Sequence, residues 1–172
     1  MMRGQGKCFI KKSLHTVVAS FKTLKECASP SRRLILVDIE NYCGKGIVRT
    51  DDVRMAKLSI TEDLALTNED LVVVGTSHEM NCLASGVEWR GPRQVLKKGH
   101  NGADLALIAA VRDYRIETFA AVIIVSGDGA FLDVAKAARA CNRSVVVVTR
   151  RGSLSRNLAL NASTVRYVPS VA

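Results

Sequence analysis

The chain has 172 residues, 48% hydrophobic and only 5% aromatic, with a formal charge of +9. That length suits one domain with a core of Val, Ile, Leu and Ala. No membrane span is long enough to be read, and no zinc framework: the five scattered cysteines form no C-x-x-C pair, and three histidines stand far apart.

Residues 1–33 read as a basic arm, with eight Lys and Arg against one acid, Glu26. An amphipathic helix is expected around residues 12–26, and "ASPSRR" reads as a linker. Such an arm favours a polyanion, most commonly nucleic acid, although a solvated leader has the same composition. Its apolar residues are interrupted by Lys11, Lys12, His15 and Lys22, so it makes a poor secretory signal. With an odd cysteine count, this points to reduced thiols and a cytoplasmic location.

Residues 34–170 form the folded domain. "RLILVD" reads as a buried strand. "TDDVRMAKLSI" is a helix capped at Thr50 or Asp51, with helical spacing at Val53, Leu58 and Ile60. "DLVVVGT" is a strand, "EMNCLAS" a short helix and "RQVLKKG" a short strand. "NGADLALIAAVRDY" is a helix, "AAVIIVSG" a strand and "AFLDVAKAARAC" a helix. "RSVVVVTR" (strand), "SLSRNLALNA" (helix) and "TVRYV" (strand) close the pattern. Strands that are continuously apolar and alternate with helices predict an α/β, three-layer sandwich around a mainly parallel sheet.

In such sheets ligands sit beyond the carboxyl ends of the strands. Asp38 and Asp128 stand there, and Asp104 opens a helix in "GHNGADLAL". Singly, each has a local explanation: Asp38 and Asp128 as caps, Asp104 as a charge favoured at a helix start. Asn41 could close an Asx turn. Jointly they are harder to explain. At a spacing of about 5 Å and an effective dielectric of about 20, each carboxylate pair costs roughly 3 kcal/mol unless a cation offsets it. Mg²⁺ or Mn²⁺ suits oxygen ligands that leave room for water and phosphate. The sequence has no P-loop, dinucleotide fingerprint, nucleophile elbow or two-histidine protease helix, and Glu40 in "VDIEN" opposes a D-x-D phosphatase.

Four segments together resemble the NYN domains, a branch of the PIN-like nucleases. They are "LILVDIENY", "KKGHNGADLALIAAV", "VIIVSGDGAFLDVAKAARACNRSVVVV" and "SLSRNLALNASTVRYV", in order over residues 34–168. The resemblance implies hydrolysis of RNA phosphodiesters at an acidic Mg²⁺ or Mn²⁺ site. It places Asp38, Asp104 and Asp128 as metal-site acids, Asn41 as the first motif's Asn, and Ser126 as a residue orienting Asp128. Two positions depart from the pattern: Ala130 replaces a second acid after S-G-D, and Ser163 stands where an Asp commonly closes the last helix. Three acids can still hold one ion. Asp133 could compensate, but reads better as a surface residue.

The substrate backbone needs positive charge beside the site. Lys97, Lys98, Arg150, Arg151 and Arg156 are the candidates, with the amides of Ser153 to Ser155 as a further phosphate contact. Trp89 could stack on a base but is more often packing, Tyr42 is better placed, and His78 and His100 read as loop polarity. The competing readings are an RNA- or partner-binding module that has lost turnover, favoured by Ala130 and Ser163, and a small-molecule phosphohydrolase. A homodimer is left open.

Overall fold

Strands that are apolar on both faces need a layer of helices on each side, and the chain supplies them in alternation. The structure, a computed structural model, describes residues 31–168. The helix expected over 12–26 lies outside them. In chain order the elements are β1 (Arg33–Asp38), α1 (Ile39–Cys43), α2 (Thr50–Leu64), β2 (Leu71–Thr76), α3 (Glu79–Glu88) and β3 (Arg93–Leu96). There follow α4 (Gly102–Val111), β4 (Ala121–Val125), α5 (Leu132–Ala140), β5 (Ser144–Thr149), α6 (Arg156–Asn161) and β6 (Thr164–Tyr167). Short 3₁₀ turns at Ile116–Thr118 and Gly129–Phe131 precede β4 and α5.

All six strands are parallel, in the order β3-β2-β1-β4-β5-β6. β1 is central: Leu34 lies beside Leu71 of β2 on one side and Val122 of β4 on the other. Period-2 alternation divides its side chains between two cores. Leu34 and Leu36 pack with Val73, Ile124, Val147, Leu107 of α4, Val134 and Ala138 of α5, and Leu158 of α6. Ile35 and Val37 pack with Val74, Ile123, Ile39 of α1, Val53, Ile60 and Leu64 of α2, and Trp89. The layers are therefore α1, α2 and α3 on one face and α4, α5 and α6 on the other.

The expected strands and long helices all form, and α1 is additional. A five-residue helix buries too few residues to show a helical apolar pattern. α2 begins at Thr50, but its N-cap is Arg49, one residue before the expected cap, and the Asp52 side chain reaches back to accept from Arg49 N at 3.0 Å.

Arg33, read as part of the basic arm, instead opens β1. Its backbone N and Nε donate to Asp70 Oδ1, and Nη1 donates to Leu64 O at the end of α2. Burial alone would raise the Asp70 carboxyl, but hydrogen bonds from Arg33 and Thr67 outweigh it and hold the group down at about 2. Its stabilising effect is thus present above the ordinary value of 3.8 and is lost as pH falls through about 2. Asp70→Asn is expected to cost about 2 kcal/mol at neutral pH and to flatten the acid limb of stability, read by urea unfolding as a function of pH.

Candidate active site

The sheet order reverses direction between β1 and β4, and the connections leaving these strands diverge there to leave a crevice at their carboxyl ends. β1 runs straight into α1. Asp38 is both the last strand residue and the helix N-cap, its Oδ1 accepting from Asn41 N at 3.0 Å. The local capping role therefore holds, and it fixes the carboxylate at the mouth of the crevice.

Asp104 is brought in by a tight loop. Gly99 and Asn101 lie in the left-handed region at φ 105° and 54°, and a Cβ on Gly102 would stand only 1.9 Å from the Lys97 carbonyl oxygen. Only glycine fits there, and the close approach seats the first turn of α4 beside β1. Asp38 and Asp104 are 4% and 5% exposed, and their carboxyl groups lie within hydrogen-bonding reach of each other. Burial, then the neighbouring Asp104 charge, pushes the Asp38 carboxyl up to about 8, against the downward pull of the Asn41 amide. Asp104 is also raised, chiefly by burial, with Asp128 and Glu40 adding to the effect and the bond to Asp38 and the His100 charge opposing it. Asp104 Oδ1 is buried without a hydrogen-bond partner.

Asp128 follows β4. Its N donates to the buried Ser126 Oγ at 3.2 Å, so Ser126 orients it through the backbone. Its Oδ1 accepts from Ala130 N at 2.8 Å and caps the 3₁₀ turn. Its charge acts on Asp104, yet among the described residues no three His, Cys, Asp or Glu side chains are gathered for an ion. The structure thus pairs Asp38 with Asp104 and leaves Asp128 at the rim, its carboxylate engaged by the turn.

Asn41 does not close a turn on itself. Its Oδ1 accepts from Gly127 N at 3.4 Å and its carbonyl accepts from Arg150 Nε at 3.1 Å. Arg150 lies across Gly44, in the left-handed conformation at φ 68°, where a Cβ would fall 2.1 Å from Nη1. The half-buried guanidinium is therefore docked at the end of α1, on the site's side of β5. Of the other expected cations, Lys97 and Arg156 are exposed, Lys98 pairs with Glu79 at 2.7 Å, and Arg151 stacks on Tyr167 at 5.2 Å. Two of the three amides expected to hold phosphate are committed: Ser153 N donates to Arg150 O and Ser155 N to Gly127 O.

Several side readings are resolved. Trp89 is 5% exposed and packs in the core, which removes it as a base-stacking surface. Tyr42 donates to Ser59 Oγ, and His78 caps α3 through Nδ1. Asp133 is exposed. Ser163 Oγ accepts from Val145 N at the start of β5, the sheet's opposite end. An acid at 163 would not reach the crevice, so its absence subtracts nothing from this site. Burial pushes the Cys43 thiol up to about 11, too high for a nucleophile.

Glu40 is the residue that sequence reasoning missed. Its Oε1 accepts from Ser77 N at 2.7 Å and Asn81 Nδ2 at 2.6 Å, and its Oε2 from Ser77 Oγ. Asn81, fully buried, also accepts from Val48 N and donates to Gly46 O. One carboxylate thus ties α1 to the start of α3. Its signal was the acid two residues after Asp38, read only as an objection to a phosphatase. Glu40→Ala leaves the Ser77 amide without its partner and is expected to cost about 3 kcal/mol, with Glu40→Gln costing less, both read by thermal unfolding.

No protein-family model matches the chain, and no curated protein matches it in sequence. A crystal structure of a protein of unknown function from Vibrio parahaemolyticus is similar, with a TM-score of 0.58 and 18% identity, covering 85% of this chain and 98% of that one. The likeness is one of fold: a doubly wound, all-parallel α/β domain. Among the described residues no helix is long and apolar enough to cross a membrane.

Proposed function

We propose that this chain is a Mg²⁺- or Mn²⁺-dependent ribonuclease of the NYN type, acting on RNA in the cytoplasm. The observation that carries the reading is the buried Asp38–Asp104 pair at the sheet's switch point, with one Asp104 oxygen unpartnered. Two buried carboxylates in contact are costly for a fold, and a divalent cation with oxygen preference relieves that cost. The donor set therefore fits such an ion, with Asp38 and Asp104 holding it and Asp128 joining from the rim. When bound, the ion supplies charge neutralisation at phosphate and a more acidic water.

The chain's own residues do the rest. Arg150, steadied on the Asn41 carbonyl, places positive charge beside the crevice for a phosphate of the substrate backbone. Asn41 holds the Gly127 amide and so fixes the distance between the Asp38 and Asp128 segments. Ser126 sets the Asp128 backbone. Lys97 and Arg156 extend the positive surface.

One observation favours a second reading, an RNA- or partner-binding module without turnover: the Asp128 carboxylate caps its own turn, and Ala130 adds no acid beside it. Incubation with single-stranded and structured RNA separates the two. Cleavage in Mn²⁺ that stops in EDTA and in Asp104→Asn supports the nuclease. Tight binding that ignores both, with no cleavage, rejects it.

A further inference from the structure

We propose that Tyr167 and Arg151 form a stacking platform for an unpaired base, so that the substrate is single-stranded RNA laid across the carboxyl ends of β4, β5 and β6. The inference rests on the preceding reading for its ligand, RNA, and not on turnover. Among the described aromatic residues, Trp89, Phe119 and Phe131 are buried, and Tyr42 and Tyr114 are partly buried with hydrogen-bonded hydroxyls. Tyr167 is 46% exposed, and among the described residues no strand lies beyond β6 to cover it. The stacking role that burial denies to Trp89 falls to this ring.

Its place in the sheet decides the ligand. Tyr167 pairs with Thr149, the last residue of β5. A Cβ added to Gly127 would press on Thr149 Oγ1, so Thr149 in turn abuts the segment that carries Asp128. With neighbouring strands about 4.8 Å apart, the ring stands about 10 Å along the edge from the end of β4. The two arginines after Thr149 diverge. Arg150 turns to the Asn41 carbonyl at the crevice, whereas Arg151 Cζ lies 5.2 Å from the centre of the Tyr167 ring. A turn holds them apart: Ser153 N donates to Arg150 O at 3.2 Å, and Gly152 takes the φ of 82° that its position in a type II turn requires. Arg151 and Arg156 make no ion pair among the described residues, and no Asp or Glu follows Asp133 in the chain. This edge thus attracts a polyanion. A guanidinium beside an aromatic ring is what an unstacked base packs on, and every base has a face to offer. Bases inside a duplex are already stacked and do not reach it.

Fluorescence anisotropy in EDTA, with the full chain and labelled RNA, tests this without cleavage intervening. The probes are a single strand, an abasic ribose-phosphate strand of the same length and a blunt duplex. The wild-type chain is expected to bind the single strand about tenfold more tightly than the abasic strand. Tyr167→Leu, which keeps apolar bulk and removes the ring, should erase that tenfold and leave the abasic strand and the duplex unmoved. Tyr167→Phe should retain it. Arg151→Lys keeps the charge but not the plane, and should weaken the single strand about threefold and the abasic strand not at all. Equal wild-type affinity for the two strands overturns the proposal, whatever the variants do. So does a Tyr167→Leu loss shared by all three probes, which marks a ring that only supports the fold. Base-dependent binding without cleavage in Mn²⁺ keeps the platform and rejects the nuclease, whereas cleavage with base-indifferent binding rejects the platform alone.

Discussion

Asp38→Asn is expected to reduce Mn²⁺-dependent RNA cleavage by about a thousandfold while making the metal-free protein more stable at pH 8. The two effects have one cause. In the metal-free fold, burial beside Asp104 holds the Asp38 carboxyl at about 8, above its ordinary 3.8. The folded state therefore keeps a proton that the unfolded state releases. Asp38's contribution is fully present below 3.8 and is lost as pH rises through about 8. Asparagine carries no charge to bury, so the variant escapes that loss. Its thermal midpoint should exceed wild type by several degrees at pH 8 and match it near pH 4. Mn²⁺ should raise the wild-type midpoint and leave the variant's unmoved, since only a binding-competent fold is stabilised by mass action. A variant less stable than wild type at pH 8 would mean that the two acids are not in conflict.

Gly127→Ala should destabilise the domain by about 3 kcal/mol, with cleavage lost as well. The added carbon would lie 2.2 Å from the Ser153 carbonyl oxygen and 2.4 Å from Thr149 Oγ1. One obstacle is backbone, and Gly127 is held from two further sides by Asn41 and Ser155. It cannot move without dragging Asp128 outward. Gly46→Ala is the control: nothing lies within 4 Å of its added carbon, and its backbone needs no left-handed conformation. Urea unfolding of the two variants should separate by nearly the whole 3 kcal/mol.

The two glycines flanking Asp128 in sequence turn out to serve different neighbours. Gly127 admits Ser153 and Thr149, whereas Gly129 faces the Ser155 side chain. Sequence alone marks both as places of close approach but not what approaches, because the Ser153–Ser155 segment is far off along the chain. The sheet was legible because each strand is a short, continuous apolar run bounded by turn residues. Its order was not, since pairing depends on which strand lies beside which. Asp38 and Asp104 were legible as candidate site residues because strand ends and helix starts face one edge. That they touch, while Asp128 stays back, depends on the tight Lys97–Gly102 loop and on the 3₁₀ turn. Glu40 escaped because a single acid in a short polar stretch has no periodic signal. Its three donors come from another part of the chain.

α1 is a single helical turn, and its N-cap Asp38 and its residues Glu40 and Asn41 each serve a different neighbour: Asp104, the head of α3, and the loop after β4. Consecutive residues on a helix are separated by about 100° of rotation. Inserting one residue after Asp38 would swing the carboxylate of Glu40 and the amide of Asn41 away from their partners together. In this lineage the count of residues from Asp38 to Asn41 should therefore be stricter than the identity of any side chain between them.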